Sequence, residues 1–153
     1  MNPYDHHTTD GLFPHAKANV ETRGEMDFAA RNAIDGVFAN HDHGPYPFAS
    51  WGINRDPEAL FSLDFGRNVV IDEIRITVRG DWPHDSWWTE ATVTDSNNIE
   101  YVLTLKKDPL PQVFPIKPTE MKSLTLGKLI KADDPSPFPA LTQFEAWGVE
   151  VDP

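Results

Sequence analysis

The chain has no cysteine among its 153 residues. That absence excludes a disulfide framework and any zinc site built on thiolates, and leaves oxidising and reducing compartments both open. Basic residues are also scarce: 13 Lys and Arg stand against 24 Asp and Glu, a formal charge of -11. The resulting field repels phosphate backbones and anionic lipid surfaces, so nucleic acid is not an expected partner. No apolar run approaches the length that crosses a bilayer, and no membrane insertion is expected. The start, Met1 to Asp10, is polar and His-rich rather than basic-then-apolar. If the natural protein is exported, its signal peptide is not in this chain. No repeat or low-complexity linker divides the sequence, and its length fits one domain, 1–153, with a core over about 28–149 and an irregular N-terminal segment 1–27.

Proline is abundant at 14 residues. Clusters such as Gly44-Pro45-Tyr46-Pro47 and Asp134-Pro135-Ser136-Pro137-Phe138-Pro139 read as rigid loops, because proline fixes φ and gives a sheet no donor. Helical periodicity is nearly missing. At most a short helix fits near 27–34, with Asp27 as its cap and Gly36 just past its end. Period 2 is plain elsewhere. Phe61, Leu63 and Phe65 alternate with polar residues, as do Ile74, Ile76 and Val78, which is the mark of half-buried strands. Trp88–Thr94 and the alternating Ile99, Tyr101, Leu103 and Leu105 flank the turn-like Asp95-Ser96-Asn97-Asn98 and predict a hairpin. Val113–Ile116, Ser123–Ile130 and Thr142–Val149 complete the series. Short strands at such spacing predict an all-β, two-sheet antiparallel β-sandwich of jelly-roll type.

Three groupings bear on chemistry. Asn40-His41-Asp42-His43-Gly44 sets two histidines at i and i+2, on one side of an extended segment, as in metal sites of the HxH kind. The remaining ligands of such a site are missing: Gly44 to Gly52 has no acid, and the only later histidine is His84. A polar loop with one histidine contacting a ligand is the better reading. His84, Asp85 and Ser86 are adjacent and so cannot converge as a catalytic triad, and no GxSxG elbow exists. The acids are numerous, but number alone does not identify a pair for glycoside hydrolysis.

The third grouping is "RGDWPHDSWW", residues 79 to 88, which holds three of the five tryptophans. A sugar ring offers an apolar C–H face to an aromatic plane and hydroxyls to Arg, Asp and His, and this stretch contains both kinds of partner. Pro83 stiffens it, which lowers the entropy lost on ordering. Trp82 is the first stacking candidate and Trp87 the second, while Trp88 keeps register with the inward positions of the next strand. Trp51 and Trp147 read as packing.

In order along the chain, "AARNAIDGVFANHDHGPYPFASWG", "LFSLDFGRNVVIDEIRITVRGD" and "LTQFEAWG" resemble the discoidin-type family. That family includes the coagulation-factor C domains and bacterial carbohydrate-binding modules of galactose-binding-like fold. The resemblance covers roughly residues 28 to 149, through Ala33–Gly36, Trp51, Leu63–Gly66, Val70–Ile76 and Phe144–Gly148. It implies a jelly-roll sandwich with its chain ends close together. It also implies a structural calcium in many bacterial members, here bounded by Asp35, Asn32, Gln143 and Glu145. Gln143 stands at the position of a glutamate, and an amide brings Ca²⁺ an oxygen without charge. By position, the implied sugar contacts are His41 or His43, Arg79, and the stretch Asp81 to Trp87, with Trp82, His84 and Asp85 among them. "PHDSWW" replaces the family's more usual Asn-Gly turn, so plain galactose specificity is not implied. The loop from Lys131 to Pro135 with Phe138 reads as a solvated turn rather than a further wall.

The expected function is therefore non-catalytic carbohydrate binding that targets a larger secreted or surface protein to polysaccharide or glycan. The expected setting is extracellular or on the bacterial cell surface, as a monomer. The alternatives are a small jelly-roll polysaccharide lyase or hydrolase using His84, Asp85 or the His41/His43 pair, and a protein-binding adhesion module.

Overall fold

The computed structural model of the protein describes residues 11, 13–38, 50–80 and 86–151. The predicted contacts His41, His43, Asp81, Trp82, His84 and Asp85 lie outside the described residues. Seven strands are present among them: β1 (His15–Ala18), β2 (Trp51–Gly52), β3 (Phe61–Val78), β4 (Trp88–Asp95), β5 (Glu100–Thr104), β6 (Gln112–Lys131) and β7 (Ala140–Glu150). Every pairing is antiparallel, in the order β2-β7-β3-β6-β4-β5, with β1 on β3.

The expected β-sandwich is built, but with fewer and longer strands than the periodicity indicated. The segments read as Phe61–Phe65 and Glu73–Val78 are one strand of 18 residues. Val113–Ile116 and Ser123–Ile130 likewise fall within one strand of 20 residues. Each long strand changes partners along its length. The first part of β3 pairs with β1 and with Ser123–Leu126 of β6, and its second part pairs with β7 and with the 112–121 part of β6. Between these parts Gly66 takes φ 68, a conformation that costs glycine little. A register shift between Ile71 and Glu73 then inserts an extra residue of β3 against β7. Inward-facing positions consequently change from odd (Leu63, Val69, Ile71) to even (Ile74, Ile76, Val78), as a bulge in a period-2 strand requires.

The core lies between the layers. Trp51, Phe61 and Phe144 are fully buried, and the Trp51–Phe61 and Phe61–Phe144 ring centroids are each 5.5 Å apart. The hairpin forms as predicted, closed by Asp95. Its Oδ1 accepts the Asn97 and Ile99 amides at 2.8 and 3.0 Å, and its Oδ2 accepts the Tyr101 hydroxyl at 3.1 Å. The short helix does not form as drawn. Three 3-10 turns, Thr22–Gly24, Met26–Phe28 and Ala30–Ala33, occupy that region, and Asp27 lies inside the second rather than capping a helix. Two turns' worth of chain is too short to nucleate an α-helix without tertiary support, and here Ala30, Ala33 and Ile34 are drawn into the core instead.

Candidate functional site: a cleft at the end of the sandwich

One end of the sandwich is closed by the last residue of β3, the entry into β7, the short β2 and the 3-10 turns. Arg79 follows Val78 at this end, and its backbone N–H donates to Ala140 O at 3.0 Å, tying the exit of β3 to the start of β7. The result is a cleft of about 270 Å³. Arg79, Phe138 and Ala140 line it together with Phe28, Gly52 and Asn54.

Its walls are set by close approaches. Thr22 Oγ1 accepts the Asn54 amide at 2.9 Å. A Cβ on Gly52 would stand 2.7 Å from that same oxygen and 3.1 Å from Phe28 Cδ1, so the wall closes only around a residue without one. The guanidinium of Arg23 sits 5.7 Å from the Phe28 ring centroid while Nη2 donates to Glu25 Oε2 at 2.9 Å. Phe138 remains 40% exposed with the Arg55 guanidinium 4.4 Å from its ring centroid. Beyond Phe138 a second cleft of about 430 Å³ begins, sharing Ile53 and Pro139 with the first and adding Arg55, Lys131 and Asp134.

The cleft is thus mostly apolar, with aromatic surface from Phe28 and Phe138 and a small polar share from residues such as Arg79 and Asn54. Such a mixture fits a ligand that has apolar faces and hydroxyls together. Among the described residues no three His, Cys, Asp or Glu side chains cluster so as to hold a metal ion.

Of the predicted contacts, Arg79 lines this cleft but is deeply buried, at 4% exposure. Trp87 packs half-buried against the core, which withdraws part of its ring from the stacking role expected of it. Trp88 is buried as read, and so is Trp51, whose Nε1 donates to Val20 O at 2.8 Å. Trp147 corrects the packing reading. It is 47% exposed, with the Arg75 guanidinium 4.1 Å from its ring centroid, in the part of β7 where the burial of its first residues gives way to exposure. Phe138, read as part of a solvated turn, is a cleft wall. Phe28, Asn54 and Thr22 were not anticipated: they come from segments with no periodic signal, and only the fold brings them together.

The residues expected around a calcium meet in part. Gln143 is fully buried. Its Nε2 donates to Asp35 Oδ1 at 2.8 Å, Asn32 O at 2.9 Å and Val37 O at 3.2 Å, and its Oε1 accepts the Gly36 amide at 3.0 Å. The Asn32 side chain turns the other way, donating to Met26 O and Ser50 O at 2.9 and 3.2 Å. Glu145 does not join this group: it is the next inward-facing residue along that side of β7, across from Arg75, and no hydrogen bond links it to the 32–37 segment. Burial pushes the Asp35 carboxyl above its usual range, against the lowering by hydrogen bonds from the Val37 amide and Gln143.

No protein-family description matches the chain, and no curated protein matches it. Solved structures do. Discoidin II of Dictyostelium discoideum is similar with a TM-score of 0.70 and 17% identity, over 91% of this chain and 56% of that one. The family 32 CBM from C. perfringens NanJ, solved in complex with galactose, is similar with a TM-score of 0.65 and 18% identity, over 87% of this chain and 92% of that one. Chitosan-binding module 2 from a chitosanase/glucanase of Paenibacillus sp. IK-5, in complex with chitotriose, gives a TM-score of 0.61 and 15% identity, over 90% of this chain and 98% of that one. These likenesses establish the discoidin-like β-sandwich fold.

Proposed function

We propose that the protein is a non-catalytic glycan-binding module whose ligand enters the cleft beside Arg79, with one sugar face against Phe138. The observation that carries this reading is where the cleft lies in the sequence. Ser50 and Arg79 line it, and the chain runs from them directly into the two segments whose composition matches sugar recognition: 39–49 with His41 and His43, and 81–85 with Asp81, Trp82, His84 and Asp85. Similar folds carry galactose and chitotriose in their solved complexes, which supports a saccharide as the ligand class. Trp82 is a stacking partner in this reading, and the three histidines and two aspartates hold hydroxyls.

Affinity is modest, because each hydrogen bond gains only about 0.5–1.5 kcal/mol net of water. Attachment of a larger extracellular protein to polysaccharide is the role that suits such a module. A glycan array followed by calorimetric titration tests the site: Phe138→Ala, Trp82→Ala and Arg79→Gln each weaken binding of the best glycan about tenfold or more, equivalent to about 1.4 kcal/mol. Undiminished binding by all three, with unchanged unfolding temperatures, removes the cleft as the site. Release of products from any polysaccharide, abolished by His84→Ala, would replace binding with catalysis.

A further inference from the structure

We propose that the side-chain amide of Gln143 occupies the place of a cation in the turn from Asn32 to Val37, so that this chain completes its fold without calcium. Three oxygens of that turn, Asn32 O, Asp35 Oδ1 and Val37 O, converge on one point. In a calcium site such oxygens are ligands, at 2.3–2.6 Å from the ion. Here the point is held by Gln143 Nε2, at 2.9, 2.8 and 3.2 Å from them, which are hydrogen-bond lengths.

The orientation of the amide follows from its partners. Oε1 accepts the Gly36 amide at 3.0 Å. Turning the group over would set its oxygen against three oxygens and its NH2 against an N–H. Gln143 is also fully buried, so the amide cannot swing aside into solvent. An ion arriving at this point would meet two donor hydrogens in place of a ligand, and displacing them would break every one of these contacts. The charge balance agrees with the geometry. Asp35 is the single carboxylate among the converging groups, where a hard dication wants six or more oxygens and more than one negative charge. A neutral donor to three acceptors satisfies internally the hydrogen-bonding needs of the buried Asn32 carbonyl and of the half-buried Asp35 and Val37 oxygens.

Calcium independence and glycan binding stand or fall separately. The decisive experiment is thermal unfolding of the intact protein in EDTA and in millimolar CaCl2, with calorimetric titration of CaCl2 into the metal-free protein. Unfolding temperatures that agree within about 1 °C, with no binding heat, are the expected result. A calcium-dependent rise of several degrees, or saturable heat, overturns the proposal. The complementary variant is Gln143→Glu, which replaces the donor by a second carboxylate at the same point. It unfolds at a lower temperature in EDTA and recovers on adding calcium. Loss of stability that calcium does not restore shows that the amide is not at a cation position, and overturns the proposal on that ground. If Gln143→Glu yields no folded protein under either condition, the titration of the unsubstituted chain decides alone.

Discussion

The start of β7 takes part in two polar constructions only a few residues apart, and they are built on opposite plans. At Phe138–Ala140 the chain leaves about 270 Å³ of open space between Arg79, aromatic rings and backbone. At Gln143 the same strand fills its surroundings: each polar atom of the amide is matched at 2.8–3.2 Å and the residue is fully buried. The contrast separates two uses of polar groups in a small sandwich. Open, mostly apolar volume with a little polar surface beside it is available to a ligand, whereas donors and acceptors closed on one another hold distant segments in register and have nothing left to offer. Residue type alone does not distinguish the two, since Gln, Asn and Asp serve equally in either.

The comparison breaks if stability and binding respond to the wrong substitutions. Gln143→Ala carries the largest expected effect. It leaves the buried Asn32 O without its partner, at about 1–3 kcal/mol, and removes the part-buried bonds to Val37 O and from the Gly36 amide, which water can partly replace. Denaturant unfolding should show a total loss of roughly 2 kcal/mol or more, with any glycan affinity of the folded fraction unchanged. Phe138→Ala should do the reverse, lowering affinity about tenfold while the unfolding midpoint hardly moves, because its ring is 40% exposed. Trp147→Ala serves as the control, an exposed aromatic of β7 away from both constructions; it should leave affinity intact. Affinity lost with Trp147 and kept without Phe138 would place the ligand on the sheet face and dissolve the distinction.

Much of this arrangement was legible in the residues, and the failures have physical causes. Phe61, Leu63 and Phe65, and Ile74, Ile76 and Val78, each declared a half-buried strand. Their union into one strand was hidden because the bulge at Ile71/Glu73 reverses the phase of the pattern. Arg79 was found because it ends an alternating run next to a tryptophan-rich loop. Phe138 was passed over because a phenylalanine among prolines looks like loop filling until Arg55 and the cleft stand on either side of it. Gln143 was recognised only as an amide at a carboxylate's position. Its hydrogen bonds reach residues 106 to 111 positions away in sequence, and no local pattern encodes which of its two polar atoms faces the turn.

A finer division lies within the cleft region itself. The second hollow, of about 430 Å³, continues past the Phe138–Arg55 pair, so a ligand longer than one ring can extend from the first hollow into it. Arg55→Ala should therefore leave a monosaccharide's affinity within about twofold and reduce an oligosaccharide's by roughly fivefold, on the scale of one charge-assisted hydrogen bond. Equal losses for both ligand lengths would merge the two hollows into one subsite.

The smallest expected effect concerns a third kind of polar contact, neither enclosed nor beside a cleft. Arg67 Nε donates to Glu150 Oε2 at 2.6 Å, and its Nη2 pairs with the other carboxylate oxygen, in full view of solvent. The hydrogen bonds from Arg67, helped by its charge and opposed by slight desolvation, hold the Glu150 carboxyl below its ordinary 4.5. Between the lowered folded value and the unfolded one, the unfolded chain binds more protons than the folded chain, so stability rises with pH across that window. The contribution is present above about 4.5 and disappears as pH falls through the lowered value. Glu150→Gln should accordingly unfold slightly earlier than the parent at neutral pH and together with it in strong acid. Added salt should shrink the neutral-pH gap, because exposed charges are screened. A gap that persists in acid would mean the pair acts by packing rather than by charge, and would move it from the solvent-facing class toward the enclosed kind represented by Gln143.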